Sequence, residues 1–269
     1  MREVRVQSWS EFNHYIASRD GWAFRGQSEA SWPLLSSLPR RLQQNKVHPD
    51  QWRQREERAI RIFRRKAHVY LPDKSALDDD LRCLAMMQHH GAPTRLLDFT
   101  KSPFVAAFFA LEQSSGDAAV YALNTPWIWA AGPDFDPSLT RDAIDPRIPG
   151  NFERHFAVNK LPVVWFGEPR EMDRRLVAQS GLLVVPGMLE KTLDSLLEEY
   201  AHEQVLVERV LIAPEVRAEA MHELYRMNIT HATLFPDLEG LARSIVYELE
   251  ENWPPHPADQ DPVRERDSG

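Results

Sequence analysis

Residues 104–112 read Phe-Val-Ala-Ala-Phe-Phe-Ala-Leu-Glu, a segment apolar on nearly every side. A helix of that kind has no face for water, so the rest of the chain must cover it all round. Its start is marked by Ser102-Pro103, an N-cap residue followed by proline at the first helical position. Just upstream, residues 94–100 (TRLLDFT) read as a strand. Before that, residues 79–90 predict a helix with Leu81, Leu84 and Met87 or Gln88 on one side. Gly91 suits its left-handed C′ position, and Pro93 stops any continuation. The middle of the chain is therefore expected to be helix, strand and buried helix in immediate succession.

The remaining elements follow from periodicity. Ser8 and Glu11 have capping-box spacing ahead of Phe12, Tyr15 and Ile16, predicting a first helix. Trp22 to Gln27 predicts a strand broken at Gly26. Residues 51–71 predict a long helix with Ile60, Phe63, Ala67 and Tyr70 at three- and four-residue steps. Strands are expected at 118–123, 163–166, 182–185 and 205–212, and helices at 189–200, 215–227 and 237–251. These elements do not keep a strict βαβ rhythm, so the fold class is α+β, with a mixed or antiparallel sheet flanked by helices. Residues 1–252 are expected to form one domain, with 125–161 an insertion or a lid and 253–269 a disordered tail.

Composition removes several function classes. Lys plus Arg number 32 against 40 Asp plus Glu, a net charge of −8, so no whole-molecule basic field for nucleic acid exists. A local basic face remains open on the 51–71 helix, which carries Arg53, Arg55, Arg58, Arg61, Arg64, Arg65 and Lys66; a solvated face is the rival reading. Only 11 glycines occur, and no GxGxxG, GxxxxGK[ST] or GxSxG run is present. His202-Glu203 and His222-Glu223 begin like a zinc-binding HExxH, but Leu206 and Arg226 stand where the second His belongs. His89 and His90 are adjacent on a helix, about 100° apart, so one metal cannot easily take both. No apolar run is long enough to span a bilayer, the opening residues carry no signal-type apolar stretch, and there is one cysteine, Cys83. A cytoplasmic protein without a membrane partner is expected.

The densest polar chemistry lies in residues 88–103. Strand alternation sets Arg95, Leu97 and Phe99 on one side and Leu96, Asp98 and Thr100 on the other. Asp98 and Thr100 at the strand end, beside the helix capped by Ser102, suit an anion or sugar pocket; simple capping is the competing role. Arg25 at the end of its strand suits a phosphate or carboxylate, with Gly26 letting a ligand approach the backbone and Gln27 beside it; a structural salt bridge is the rival. Gln179 either enters a pocket or sits in a strand connection.

Phe24-Arg25-Gly26-Gln27, Trp32, Ser36 and Ser37, the block QHHGAPTRLLDFTKSPFVAAFFALE (88–112), RRLVAQSGLL (174–183) and LFPDLEGLA (234–242) together resemble the FRG domain family, in family order across roughly residues 8–250. A more distant resemblance is to ADP-ribosyltransferases of the Arg–Ser–Glu type. It implies an ADP-ribosyltransferase-like fold, NAD as substrate, and a macromolecular acceptor, protein or nucleic acid. It also implies a toxin, effector or phage-defence role, for which a neutralising antitoxin would be a partner. By that likeness Arg25, Gln27 and Arg95 would serve NAD binding, and Thr100 and Ser102 would hold the nicotinamide ribose.

The third element departs from the pattern, because Gln179 falls where a catalytic Glu belongs. Cleaving the N-glycosidic bond of NAD builds positive charge on the ribose, which a carboxylate stabilises and an amide does not. Asp98, Glu168 or Glu171 would have to serve, and Asp98 is best placed by strand geometry. Two other readings stand beside the transferase. One is a nucleotide- or nucleic-acid-binding sensor without turnover; the other is a hydrolase with His89 or His90 as base, oriented by Asp98.

Overall fold

The computed structural model describes residues 1–71, 74–200 and 204–251. The expected tail and His202-Glu203 lie outside those residues. In chain order the elements are β1 (Arg2–Val6), α1 (Trp9–Ile16), β2 (Ala23–Gln27), α2 (Ser37–Gln44), α3 (Trp52–Ala67) and α4 (Asp80–His89). Then come β3 (Leu97–Thr100), α5 (Pro103–Leu111), β4 (Ala118–Leu123), α6 (Thr125–Ile128) and β5 (Val164–Gly167). Last are α7 (Arg174–Ala178), β6 (Gly181–Pro186), α8 (Leu193–Leu197), β7 (Val207–Ile212), α9 (Arg217–Arg226), α10 (His231–Leu234) and α11 (Leu238–Glu251).

Local chemistry sets the boundaries. Ser8 accepts the Glu11 N–H at 3.1 Å and starts α1, while Glu11 reaches one residue past the cap to the N–H of Gln7. Asp79 caps α4 through the N–H of Arg82, and Gly91 follows the helix at φ +82°. Ser102 accepts the Val105 N–H and opens α5 with Pro103 in its first turn.

The seven strands form one mixed sheet in the order β1-β7-β4-β2-β3-β6-β5, with β1 and β7 parallel and the other pairs antiparallel. This is the expected α+β sheet flanked by helices. Among the described residues no helix is long and apolar enough to cross a membrane.

One face of the sheet carries two separate apolar layers. Phe24, Val120, Ala122, Val210 and Ile212 pack against α1, α5 and α9. Trp165, Leu183 and Val185 pack against α3, α4 and the π-helical turn Phe152–Ala157. The opposite face is covered continuously by one layer that includes Leu97, Phe99, Tyr121 and Val184, with α8. Helix α5 is enclosed as its composition demands: Ala106, Ala107, Phe108, Ala110 and Leu111 have no exposed surface. Burying Phe108 and Leu111 contributes about 1.5–3 kcal/mol each.

The 125–161 segment folds Ile144, Phe152 and Phe156 into the layer beneath α3 and α4. Expected as an insertion or a lid, it contributes no wall to the main cleft. The predicted 189–200 helix shrinks to α8, because Thr192 caps the chain at Ser195 and the Leu193 N–H goes to Leu34 O.

The feature that positions the site is a parting of the sheet. Strands β2 and β3 share a single register pair, Phe24 with Thr100, whereas β2 pairs with β4 and β3 with β6 along their lengths. The two apolar layers on the helical face lie on either side of this parting.

Candidate functional site

Over the parting, between α5 on one side and α4 on the other, lies a cleft of about 390 Å³. Its floor is β3. Asp98 and Thr100 face the cleft side while Leu97 and Phe99 pack into the opposite layer, as strand alternation requires. Arg25 bridges the parting, its Nη1 donating to Asp98 O at 2.7 Å. The buried Arg25 Nε and Gln27 Oε1 have no hydrogen-bond partner among the described residues.

Asp98 is held from α4. Thr94 Oγ1 donates to Gln88 Oε1, and Gln88 Nε2 donates to Asp98 Oδ1 at 2.6 Å. Asp98 is exposed, opening onto the cleft and onto the cavity beside it, yet the protein packed around it costs its charged form solvation and pushes its pKa up from the ordinary carboxylate value. Arg25, Gln88 and Arg175 oppose that shift, and Asp173 adds to it. Burial likewise pulls the Arg25 guanidinium down from its ordinary value; Asp98 opposes and Arg40 reinforces.

The far wall comes from α7 and α10. Asp173 caps α7, its Oδ1 accepting the N–H groups of Arg175 and Leu176, while its Oδ2 lies 3.1 Å from His89 Nδ1. Arg175 lies over the ring of Phe235 at 4.4 Å. Trp32, Phe109 and Phe235 give the cleft aromatic walls.

The sequence-derived candidates divide. Arg25, Gln27, His89, Asp98, Thr100 and Gln179 come together around the cleft. Arg95 does not: it is fully buried, with Nε 2.7 Å from Glu56 Oε1 and Nη1 on Phe156 O and Pro186 O. It lies just before β3 and turns into the core, so the strand alternation used to place it does not govern it. Ser102 spends its hydroxyl on the Val105 N–H and stands outside the cleft wall. Thr100 lines the cleft, but its Oγ1 donates to Gln179 O at 2.6 Å and accepts the Ser102 N–H.

Gln179 Nε2 donates to Leu234 O at 3.0 Å, tying α7 to α10. Glu168 pairs with Lys101 and Glu171 with Arg82; neither lines the cleft. The carboxylate beside His89 is Asp173, not the expected Asp98. Gly26 does not open the backbone to a ligand: a Cβ there would stand 2.0 Å from Ala106 O, so its missing side chain is the space α5 occupies.

Arg40 and Asp173 were not legible as site residues, and Gln88 and Arg175 stood only as members of the 88–103 and 174–183 stretches, with no role of their own. Asp173 ahead of Arg174-Arg175-Leu176 carries an N-cap signal, but nothing local shows that its second oxygen meets a histidine 84 positions away.

An α+β domain whose mixed sheet parts at its centre, with a cleft there carrying more arginine than carboxylate, is the class this fold and site define. Residues 20–118 match the family model of the FRG domain, the family whose motifs the sequence resembles. The matched span holds Arg25, Gln27, Arg40, Gln88, His89, Asp98 and Thr100, and ends before α7 and α10. No curated protein and no solved structure matches the chain.

Proposed function

We propose that the cleft binds NAD and that the protein is a cytoplasmic ADP-ribosyltransferase acting on a macromolecule, with an effector, toxin or phage-defence role and a neutralising antitoxin as part of the same reading. The observation that carries the proposal is the placement of a carboxylate, Asp98, beside a guanidinium, Arg25, on the floor of a cleft with aromatic walls. The residues fit a dinucleotide. Arg25 Nε and Gln27 Oε1 are buried without partners, so a phosphate and a hydroxyl would satisfy them. Trp32, Phe109 and Phe235 offer surfaces to planar rings. When bound, NAD supplies an ADP-ribosyl group whose release develops positive charge on the ribose. Asp98, held by Gln88, would stabilise that charge. His89, with Nδ1 on Asp173, keeps Nε2 to take the acceptor's proton.

A sensor without turnover is the second reading. It is favoured by Gln179, whose amide is committed to Leu234 O and brings no charge to the position where the resembled enzymes carry Glu.

Nicotinamide release from NAD by the purified protein, with and without RNA and bulk protein, separates the two. The transferase reading expects release that falls at least 100-fold in Arg25→Ala and in Asp98→Asn, the scale of a lost charge-stabilising group. Release unchanged in Asp98→Asn would refute the assignment of that carboxylate. NAD binding without any release would establish the sensor.

A further inference from the structure

Beside the cleft lies a second cavity of about 420 Å³, and the two share Arg25, Arg40, Gln88 and Asp98. Its remaining walls come from α2, the 91–93 turn and Leu96, and carry no aromatic ring. Arg25 and Arg40 both line both cavities, so two guanidiniums meet at their junction; burial lowers the Arg25 pKa, Asp98 opposes that, and the Arg40 charge lowers it further. Arg40 is itself lowered by burial. Its Nε donates to Ser36 O at 3.3 Å, Arg25 has an unpartnered Nε, and Arg41 adds a third cation to the wall. Among the described residues the one carboxylate that faces this second cavity, Asp98, already accepts from Gln88.

Two partly dehydrated like charges with spare N–H donors form an arrangement that an anion relieves. A phosphate, with several acceptor oxygens, matches guanidinium forks better than a point anion does. The neighbouring cleft supplies aromatic surfaces that the second cavity lacks. We propose that the Arg25–Arg40–Arg41 junction is a phosphate subsite, holding the phosphate of a nucleotide whose rings lie in the main cleft. This deepens the NAD reading without depending on it, because a nucleoside 5′-monophosphate with no nicotinamide to release satisfies it equally.

Titration calorimetry of the full chain with AMP, adenosine and inorganic phosphate tests the subsite. AMP should bind at least about tenfold more tightly than adenosine, the scale of a lost hydrogen bond to a charged group, and inorganic phosphate should compete with AMP. Arg40→Gln should abolish the preference for AMP. Arg41→Gln, at an exposed position, should reduce it without threatening the fold, and Arg61→Gln on the exposed side of α3 should leave it intact. Thermal melts of each variant report whether the fold survives. Equal binding of AMP and adenosine, no heat with AMP, or a preference retained in both Arg40→Gln and Arg41→Gln overturns the proposal. An AMP preference without nicotinamide release sinks only the transferase reading; turnover without that preference sinks only the subsite.

Discussion

At the scale of single residues, two charged groups that look alike in sequence have opposite fates. Arg95 and Glu56 form a pair with almost no exposed surface, and Arg95's other donors reach backbone oxygens. Breaking one partner strands the other charge in the core, at a cost of about 3–5 kcal/mol. Glu56→Gln should therefore lower the urea midpoint strongly, whereas Arg95→Met with Glu56→Leu should cost less than the single change. A double variant weaker than Glu56→Gln would show that the pair contributes more than its own desolvation.

Asp98 is the converse case, an exposed carboxyl on the cleft floor whose pKa is raised because the surrounding protein costs its charged form solvation. A group that holds its proton more tightly when folded weakens the fold once it ionises, and the penalty fades as pH falls to the unfolded value. That ordinary value is 3.8. Asp98→Asn should thus be more stable than the parent at neutral pH, with the gap closing as pH drops to about 4. Urea midpoints measured from pH 4 to 7 check the sign, and a gap that widens on acidification would contradict it.

Among elements, the contact of β2 with α5 is the most demanding. A Cβ on Gly26 would lie 2.0 Å from Ala106 O and 2.6 Å from Ala110 N, both backbone atoms that cannot swing aside. Overpacking typically costs about 1–3 kcal/mol, and a backbone clash belongs at the upper end or beyond. Gly26→Ala should depress the melting temperature of the unliganded protein; an unchanged melt would mean that α5 can retreat from the strand. The same contact shows what was legible. The apolar ring of α5, its Ser102-Pro103 start and the Gly91 stop of α4 are local signals, and those elements form where they predict. Strand β1 escaped notice because Arg2, Glu3 and Arg5 dominate it. It is held by parallel pairing with β7 and by the Arg5–Asp117 and Arg209–Glu3 ion pairs, all of them distant in sequence. Helix α2 was masked by Pro39, which sits harmlessly in the first turn, where its missing N–H leaves nothing unpaired. The site divides in the same way. Asp98 and Thr100 follow from alternation along a strand, while Arg40, Asp173 and Arg175 join them only through the packing of α2 and α7.

For the whole molecule, the parting between β2 and β3 links charge to stability. The chain carries a net charge of −8, yet the cleft gathers Arg25, Arg40 and Arg175 against Asp98 and Asp173. An anionic ligand seated there would touch β2 and α2 on one side and β3, α4 and α7 on the other, adding contacts where the strands themselves share one register pair. Ligand that binds only the folded state stabilises it by RT ln(1 + [L]/Kd), about 2.7 kcal/mol at a hundredfold excess over Kd. For a chain of this size that corresponds to a rise of about 5–10 °C in Tm. Saturating AMP should produce that rise in one cooperative transition, and Arg25→Ala should abolish it, because the variant removes both the cation and the hydrogen bond that crosses the parting. An equal rise in Arg25→Ala would place the ligand away from the parting. A rise in the parent protein that disappears in the variant would place the ligand on Arg25, the residue whose hydrogen bond crosses the parting.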